Sequence, residues 1–162
     1  MKKITVFVLT TIVLLSCKNQ QPSDRSEGVQ KPVIGTWKLL QATIIENGDT
    51  AVTDYTKNVS FIKIINETHF AFLQHDLARG KDSAANFVAG GGRYSLKDSL
   101  YTEHLEYCSA REWEGHDFNF AITIQEDTLI QQGIERVESA GINRVNTEKY
   151  IRVKSQVSSS GG

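Results

Sequence analysis

Apolar and polar side chains alternate along short segments of this chain. Between residues 117 and 125, apolar side chains recur at every second position, at Phe118, Phe120, Ile122 and Ile124. A period of two places successive side chains on opposite faces of an extended backbone, so this pattern predicts a β-strand with one buried face. The same period, or a run of β-branched residues, predicts further strands at residues 33–45, 59–65, 68–74, from about 87 to 96, 100–108, 128–135 and 148–154.

The segments between these strands read as turns and loops. Asn47-Gly48 is typical of a tight hairpin turn, and residues 51–58 fit either a short strand or one helical turn. We interpret residues 75–89 as a mobile loop and residues 136–147 as a loop with room for a helical turn. Residues 109–116 form a loop that carries Trp113.

Regular hairpins in one run predict an all-β fold: a single eight-stranded up-and-down antiparallel barrel over residues 33–154. The chain has only two prolines, Pro22 and Pro32, and neither interrupts a predicted strand. Closing the sheet removes its exposed edges and leaves an interior that can hold one small ligand.

The first residues predict export. Lys2 and Lys3 precede an apolar run that is too short to span a bilayer, and the run ends at Leu14-Leu15-Ser16-Cys17. This ending resembles a bacterial lipobox. The resemblance implies a signal peptide over residues 1–16, lipidation of Cys17 with chains such as palmitate, and a membrane anchor; the alternative is an ordinary signal peptide. Because Lys18 is not the aspartate associated with inner-membrane retention, we expect an outer-membrane lipoprotein.

Residues 17–32 would then form the lipidated cysteine and a polar tether, and residues 155–162 a disordered tail. Removal of residues 1–16 leaves 146 residues and changes the net charge from −1 to −3. Such a chain forms one domain, and nothing in it is basic enough to predict nucleic-acid binding. With Cys17 lipidated, Cys108 is the only free thiol, so no intrachain disulfide is expected.

Both ends of the barrel segment carry a family resemblance. Gly35-Thr36-Trp37 in the first strand and Arg152 in the last are similar to the lipocalin pattern. That resemblance implies that Trp37 closes the base of the barrel and that Arg152 stacks over it. It makes Gly35, Trp37 and Arg152 structural residues rather than ligand contacts.

More of the chain resembles the lipocalin-like lipoproteins of Gram-negative envelopes, a family of uncertain function. The resembling segments are Thr68-His69-Phe70, Gly91-Gly92-Arg93-Tyr94, Tyr101-Thr102-Glu103 and Tyr150-Ile151-Arg152-Val153. The resemblance implies the fold and the cellular address more than a ligand.

The predicted ligand site lies on the hairpin of residues 90–108. A two-residue turn at Lys97-Asp98 would place Tyr94 opposite Tyr101 and Gly92 opposite Glu103. Together with the alternating segment 117–125, this predicts a ligand-binding interior lined by Tyr94, Tyr101, Glu103, Tyr107, Phe118 and Phe120. Aromatic rings interleaved with a carboxylate suit the wall of a binding cavity for a small, partly apolar molecule.

Three alternatives stay open for this hairpin. The tyrosines could simply fill the barrel, with Glu103 bonded to a hydroxyl or to Arg93. A three-residue turn would change the pairing, and the opposite parity would turn Thr102, His104 and Glu106 inward.

The other functions considered have less support in the sequence. Metal binding would need His104 and Glu106 to meet other histidines, and the four histidines show no dense ligand spacing. No catalytic motif or cofactor fingerprint is present, so we expect neither an enzyme nor a cofactor, and a monomer whose small-molecule partner is unknown. The alternative function is a non-enzymatic interaction module that uses the Trp113 loop and residues 75–89.

Overall fold

The computed structural model describes residues 32–81 and 85–154. The predicted signal peptide, Cys17, the tether up to residue 31 and the tail of residues 155–162 lie outside the described residues. Within the described ranges, no helix is long and apolar enough to cross a membrane.

Nine β-strands make up most of the described chain. They are β1 (Gly35–Glu46), β2 (Asp49–Asp54), β3 (Val59–Ile65), β4 (His69–Asp76), β5 (Phe87–Lys97), β6 (Leu100–Cys108), β7 (Asp117–Gln125), β8 (Thr128–Val137) and β9 (Ile142–Arg152). Single 3-10 turns at Arg111–Trp113 and Glu138–Ala140 precede β7 and β9. The bounds of β3 and β7 agree with the sequence prediction.

Eight of these strands form a closed antiparallel up-and-down barrel, which confirms the predicted fold class. Strands β3 to β9 pair in chain order, and β9 pairs with β1, which pairs with β3. The strand β1 is long enough for two partners on one side, because residues 35–38 pair with β3 and residues 41–46 pair with β2. The extra strand β2 therefore lies beside the barrel, and the ambiguous segment 51–58 begins as strand.

Trp37 and Arg152 pack together at one end of the barrel. Trp37 is fully buried, and the Arg152 guanidinium lies 4.0 Å from the centre of its ring. Arg152 also donates a hydrogen bond of 2.8 Å to the Ile34 carbonyl. A Cβ at position 35 would come within 2.6 Å of the Arg152 Nη1, and Gly35 has a φ of +146°. The Arg152 guanidinium can therefore occupy this position only because residue 35 has no Cβ.

The final strand begins earlier than its apolar pattern indicates. Residues 142–147 pair with β8 and belong to β9, so the predicted loop over 136–147 was wrong except for the 3-10 turn. The reason is that Arg144 and Asn146, at alternate positions, are polar residues that line the interior. A strand whose inward positions are polar lacks the apolar alternation that the prediction requires.

The β5–β6 hairpin turns one residue later than predicted. Its two turn residues are Asp98 and Ser99, and Asp98 adopts a φ of +56°, which aspartate tolerates better than most residues. Tyr94 consequently pairs with Glu103 instead of Tyr101. The shift is an even number of positions, so Tyr94, Tyr101 and Glu103 still share the inward face.

A β-bulge separates Tyr107 from that inward face. Leu105 pairs with Gly92 and Tyr107 with Gly91, so Glu106 is an extra residue in β6. The inward placement of Tyr107 was therefore wrong: its side chain is 67% exposed on the outer surface. A Cβ on Gly92 would overlap the backbone of β6, which explains why the bulge requires a glycine there.

Candidate functional site

A cavity of about 390 Å³ occupies the part of the barrel away from Trp37. Strand β3 shows this position: Phe61 and Lys63 line the cavity, whereas Ile65 belongs to the core nearer Trp37. The cavity has apolar walls that include Phe61, Phe72, Leu105, Trp113, Phe118 and Phe120. A volume of this size is in the range of small-molecule sites.

Its deepest polar feature is a buried ion pair between β3 and β6. The Nζ atom of Lys63 lies 2.8 Å from Oε1 of Glu103, and both side chains are almost completely buried. Lys63 also donates to Oε1 of Gln131 at 3.1 Å and lies 3.9 Å from Oε2 of Glu148. The Lys63 ammonium is thus surrounded by three acceptor side chains from three different strands.

The two members of the pair shift each other's titration. Burial acts to lower the pKa of Lys63, but the charges of Glu103 and Glu148 and the hydrogen bond to Glu103 outweigh it, so the pKa is raised. Burial raises the pKa of Glu103, and the charge and hydrogen bond of Lys63 only partly oppose that effect. Lys63 therefore keeps its positive charge, whereas Glu103 gains a proton more readily than an exposed glutamate does.

Two buried tyrosines, Tyr101 and Tyr150, lie next to this ion pair and Glu148. The Tyr150 hydroxyl donates to Oε2 of Glu148 at 2.7 Å, and burial together with that carboxylate raises the pKa of Tyr150 well above its usual value. Burial and the neighbouring Glu103 also raise the pKa of Tyr101. The Tyr101 hydroxyl interacts with the Glu103 carboxyl, although the contact falls outside ordinary hydrogen-bond geometry.

A second polar group lines the cavity nearer to its mouth. Glu135 accepts a hydrogen bond of 2.7 Å from Arg144 and another of 2.7 Å from the Asn146 amide. The Arg144 guanidinium lies 5.3 Å from the centre of the Trp113 ring, and that ring packs 5.6 Å from Phe118. The loop tryptophan is therefore held at the cavity by a cation–π contact with Arg144 and a tilted ring contact with Phe118.

The structure brings together some of the predicted lining residues and separates others. Glu103, Phe118 and Phe120 line the cavity. Tyr101 is buried below it, and Tyr94 packs against Tyr101 at 5.2 Å and donates to the Asn66 carbonyl. Tyr107 is on the outside.

Sequence reasoning missed most of the polar lining. Lys63, Gln131, Glu135, Asn146 and Glu148 all contribute to the cavity. Lys63 was detectable, because it replaces an apolar residue at the inward position between Phe61 and Ile65. A charged residue at an inward position of an apolar strand indicates a buried partner or a ligand.

The histidine and carboxylate combination considered for a metal is not assembled. His104 lies on the outer face, where its Nδ1 contacts Oδ1 of Asp117 at 2.8 Å, and Glu106 pairs with Arg93. Across residues 32–81 and 85–154, no group of histidine, cysteine and acidic side chains has the arrangement of a metal site. The parity that turns Tyr101 and Glu103 inward is the one observed.

Comparison with known proteins gives a family and distant structural likenesses. A family model described as "Domain of unknown function (DUF4488)" matches residues 32–160. The crystal structure at 2.60 Å resolution of an uncharacterized protein from Bacteroides eggerthii DSM 20697 aligns with a TM-score of 0.44 and 11% identity. The alignment covers 74% of this chain and 98% of that one. No curated protein matches significantly.

Proposed function

The chain belongs to the DUF4488 family, whose description states no function, and we propose that its barrel binds a small, partly apolar ligand in the interior. The observation that carries this proposal is the cavity itself. It combines aromatic walls with a few convergent polar groups held on rigid strands, which is the usual composition of a small-molecule site.

The polar interior also distinguishes this cavity from a packing defect. A hydrophobic filling of similar volume would often be as stable as a buried ion pair or more so. Lys63 and Glu103 nevertheless occupy the middle of the barrel. Burial of these two charged groups costs folding free energy. A binding role explains why the barrel keeps them.

The test is a pair of identical substitutions, one inside the barrel and one outside. Ala42 is buried and lines the cavity, whereas Ala121 is an exposed residue of β7. We expect Ala42→Phe to fill the cavity and abolish binding of the neutral dye N-phenylnaphthylamine, and Ala121→Phe to leave it intact.

Binding is measured on the full chain in phosphatidylcholine vesicles as energy transfer from tryptophan to dye, with protein-free vesicles as the blank. Trp113 at the cavity is the donor nearest to a bound dye. Equal transfer in wild type and in both variants would contradict an interior site.

We further propose that Cys17 carries the lipid and anchors the domain in the outer membrane. The support is the lipobox-like ending of the apolar run at Leu14-Leu15-Ser16-Cys17. Cys17→Ser should abolish palmitate labelling in the host cell, and Cys108→Ser should keep it. Label retained in Cys17→Ser, or found in the inner membrane, would refute the anchor or its address.

A further inference from the structure

The cavity contains more acidic than basic side chains. Its lining includes the carboxyl groups of Glu103, Glu135 and Glu148 and the cations of Lys63 and Arg144. Two cations face three carboxyl groups, so one carboxyl group is in excess.

Both cations are already held by acidic partners. Lys63 contacts Glu103 at 2.8 Å, and Arg144 contacts Glu135 at 2.7 Å while its guanidinium lies over the Trp113 ring. An anionic ligand would have to break one of these pairs and leave its carboxylate buried without a partner. That exchange is unfavourable in a low-dielectric interior.

Acceptor groups of the lining, in contrast, have hydrogen-bonding capacity that the described residues do not use. The hydrogen bond from Tyr150 and the 3.9 Å approach of Lys63 both fall on Oε2 of Glu148. Only 5% of Asn146 is exposed, and its Oδ1 has no hydrogen-bond partner within the described ranges. The orientation of this amide is fixed, because its nitrogen donates to Glu135 and a flipped oxygen would face that carboxylate.

The walls around these acceptors are aromatic. Tyr55, Phe61, Phe72 and Trp113 all line the same cavity, and the rings of Phe61 and Phe72 are stacked at 5.8 Å. Aromatic faces attract cations as well as apolar groups. Both the positively charged group and the apolar part of such a ligand would therefore have favourable contacts in this cavity.

We propose that the ligand is an organic amine: a primary or secondary ammonium group on an aromatic or aliphatic body, with the ammonium directed to Glu148 and the Asn146 oxygen. This inference rests on the proposed function, because it names the ligand class of the same cavity. The ammonium supplies the one positive charge that the lining lacks and donors for the acceptors that it leaves over. Burial and the neighbouring Glu148 carboxylate raise the pKa of Glu103, and the positive charge of a bound ammonium would oppose that effect.

The experiment compares three probes that share a phenylbutyl body: phenylbutylamine, phenylbutanol and phenylpentanoate. Their binding to the full chain in phosphatidylcholine vesicles is measured by calorimetry at neutral pH, with protein-free vesicles as the blank. We expect the amine to bind at least about tenfold more tightly than the alcohol, which is the usual gain from a hydrogen bond to a charged group. The carboxylate should bind more weakly than the alcohol.

Two matched variants assign the preference to the cavity. Glu148→Gln keeps the shape and removes the excess carboxyl group, so it should bring the amine and the alcohol to within about threefold of each other. Glu67→Gln removes the same charge from an exposed carboxyl in the β3–β4 turn and should keep the preference. Binding of the alcohol serves as the internal check that each variant is folded.

The outcomes separate this inference from the proposed function. Alcohol and amine bound equally by wild type, or carboxylate bound best, would overturn the amine assignment and leave the cavity as a binding site. An amine preference that survives in Glu148→Gln would also overturn it. If none of the three probes binds and the neutral dye does not bind either, the proposed function fails together with the ligand class.

Discussion

Removal of the Lys63 charge should destabilise the barrel strongly. In Lys63→Met, the methionine side chain takes the place of the aliphatic part of the lysine. The buried carboxyl of Glu103, however, loses its cation and its 2.8 Å hydrogen bond. Only 3% of the Lys63 side chain and 8% of the Glu103 side chain are exposed, so bulk water replaces the missing contact poorly. Breaking a buried pair by removing one partner costs about 3–5 kcal/mol. For a domain of this size, that loss lowers the unfolding midpoint by roughly 10–20 °C.

The loss should depend on pH in a defined direction. Lys63 normally lowers the pKa of Glu103 against the effect of burial, so its removal raises that pKa further. A carboxyl with a raised pKa in the folded state contributes stability below its unfolded value of 4.5 and loses it as pH rises through the folded value. The deficit of Lys63→Met relative to wild type is therefore largest at neutral pH and above. It shrinks as the pH falls toward 4.5.

The assay is thermal unfolding followed by circular dichroism across this pH range. The double variant Lys63→Met/Glu103→Gln should recover about half of the lost stability at neutral pH, because it also removes the Glu103 carboxylate that has no cation beside it. Arg93→Met is the matched control: its partner Glu106 lies on the outer face, where 69% of the Arg93 side chain is exposed, and we expect little change. A small, pH-independent effect of Lys63→Met, or no recovery in the double variant, would refute the reasoning.

Three further outcomes follow from the Trp37–Arg152 contact, the β6 bulge and the buried phenols. Arg152→Lys should lower the unfolding midpoint and shift the fluorescence of Trp37, since an ammonium cannot stack on the ring and hold the backbone carbonyls as a guanidinium does; an unchanged melting curve would contradict this. Gly92→Ala should cost about 1–3 kcal/mol in chemical unfolding, because its Cβ overlaps the β6 backbone, and wild-type stability would show that the bulge adapts. Burial raises the pKa of Tyr101 and Tyr150 above 10.0, so their contribution to stability is complete below pH 10.0 and is lost as pH rises further. An absorbance titration should show both phenols ionising only together with alkaline unfolding, and ionisation of every tyrosine before unfolding would argue against it.

The fold could be predicted because most barrel strands bury one apolar face. Where inward positions are apolar, as in β7, the alternation predicted the strand bounds, and the run of β-branched residues predicted those of β3 although Lys63 points inward. Alternation failed at the start of β9, where the inward residues are the polar Arg144 and Asn146. The prediction therefore lost accuracy in the same region where the barrel has a polar interior.

The bulge in β6 limited the prediction of the site in a different way. Alternation assigns faces correctly only while the pairing is regular, and Glu106 interrupts it, so Tyr107 points outward although it has the same parity as Glu103. The three glycines of β5 indicated that something unusual occurs there, and the structure shows close backbone contact at Gly91 and Gly92. A glycine run signals such a contact but does not say which residue of the partner strand is extra.

The two ends of the barrel differ in how their interior charges are held. The closed end needs Trp37 and Arg152, whose guanidinium lies over the indole ring and donates to backbone carbonyl groups. The cavity end holds Lys63 and Glu103 in a pair whose desolvation the fold must offset elsewhere. Sites that depart from the most stable choice of residues are where a fold accommodates a second requirement. For this barrel, the proposed requirement is an acidic cavity that receives its missing positive charge from the ligand.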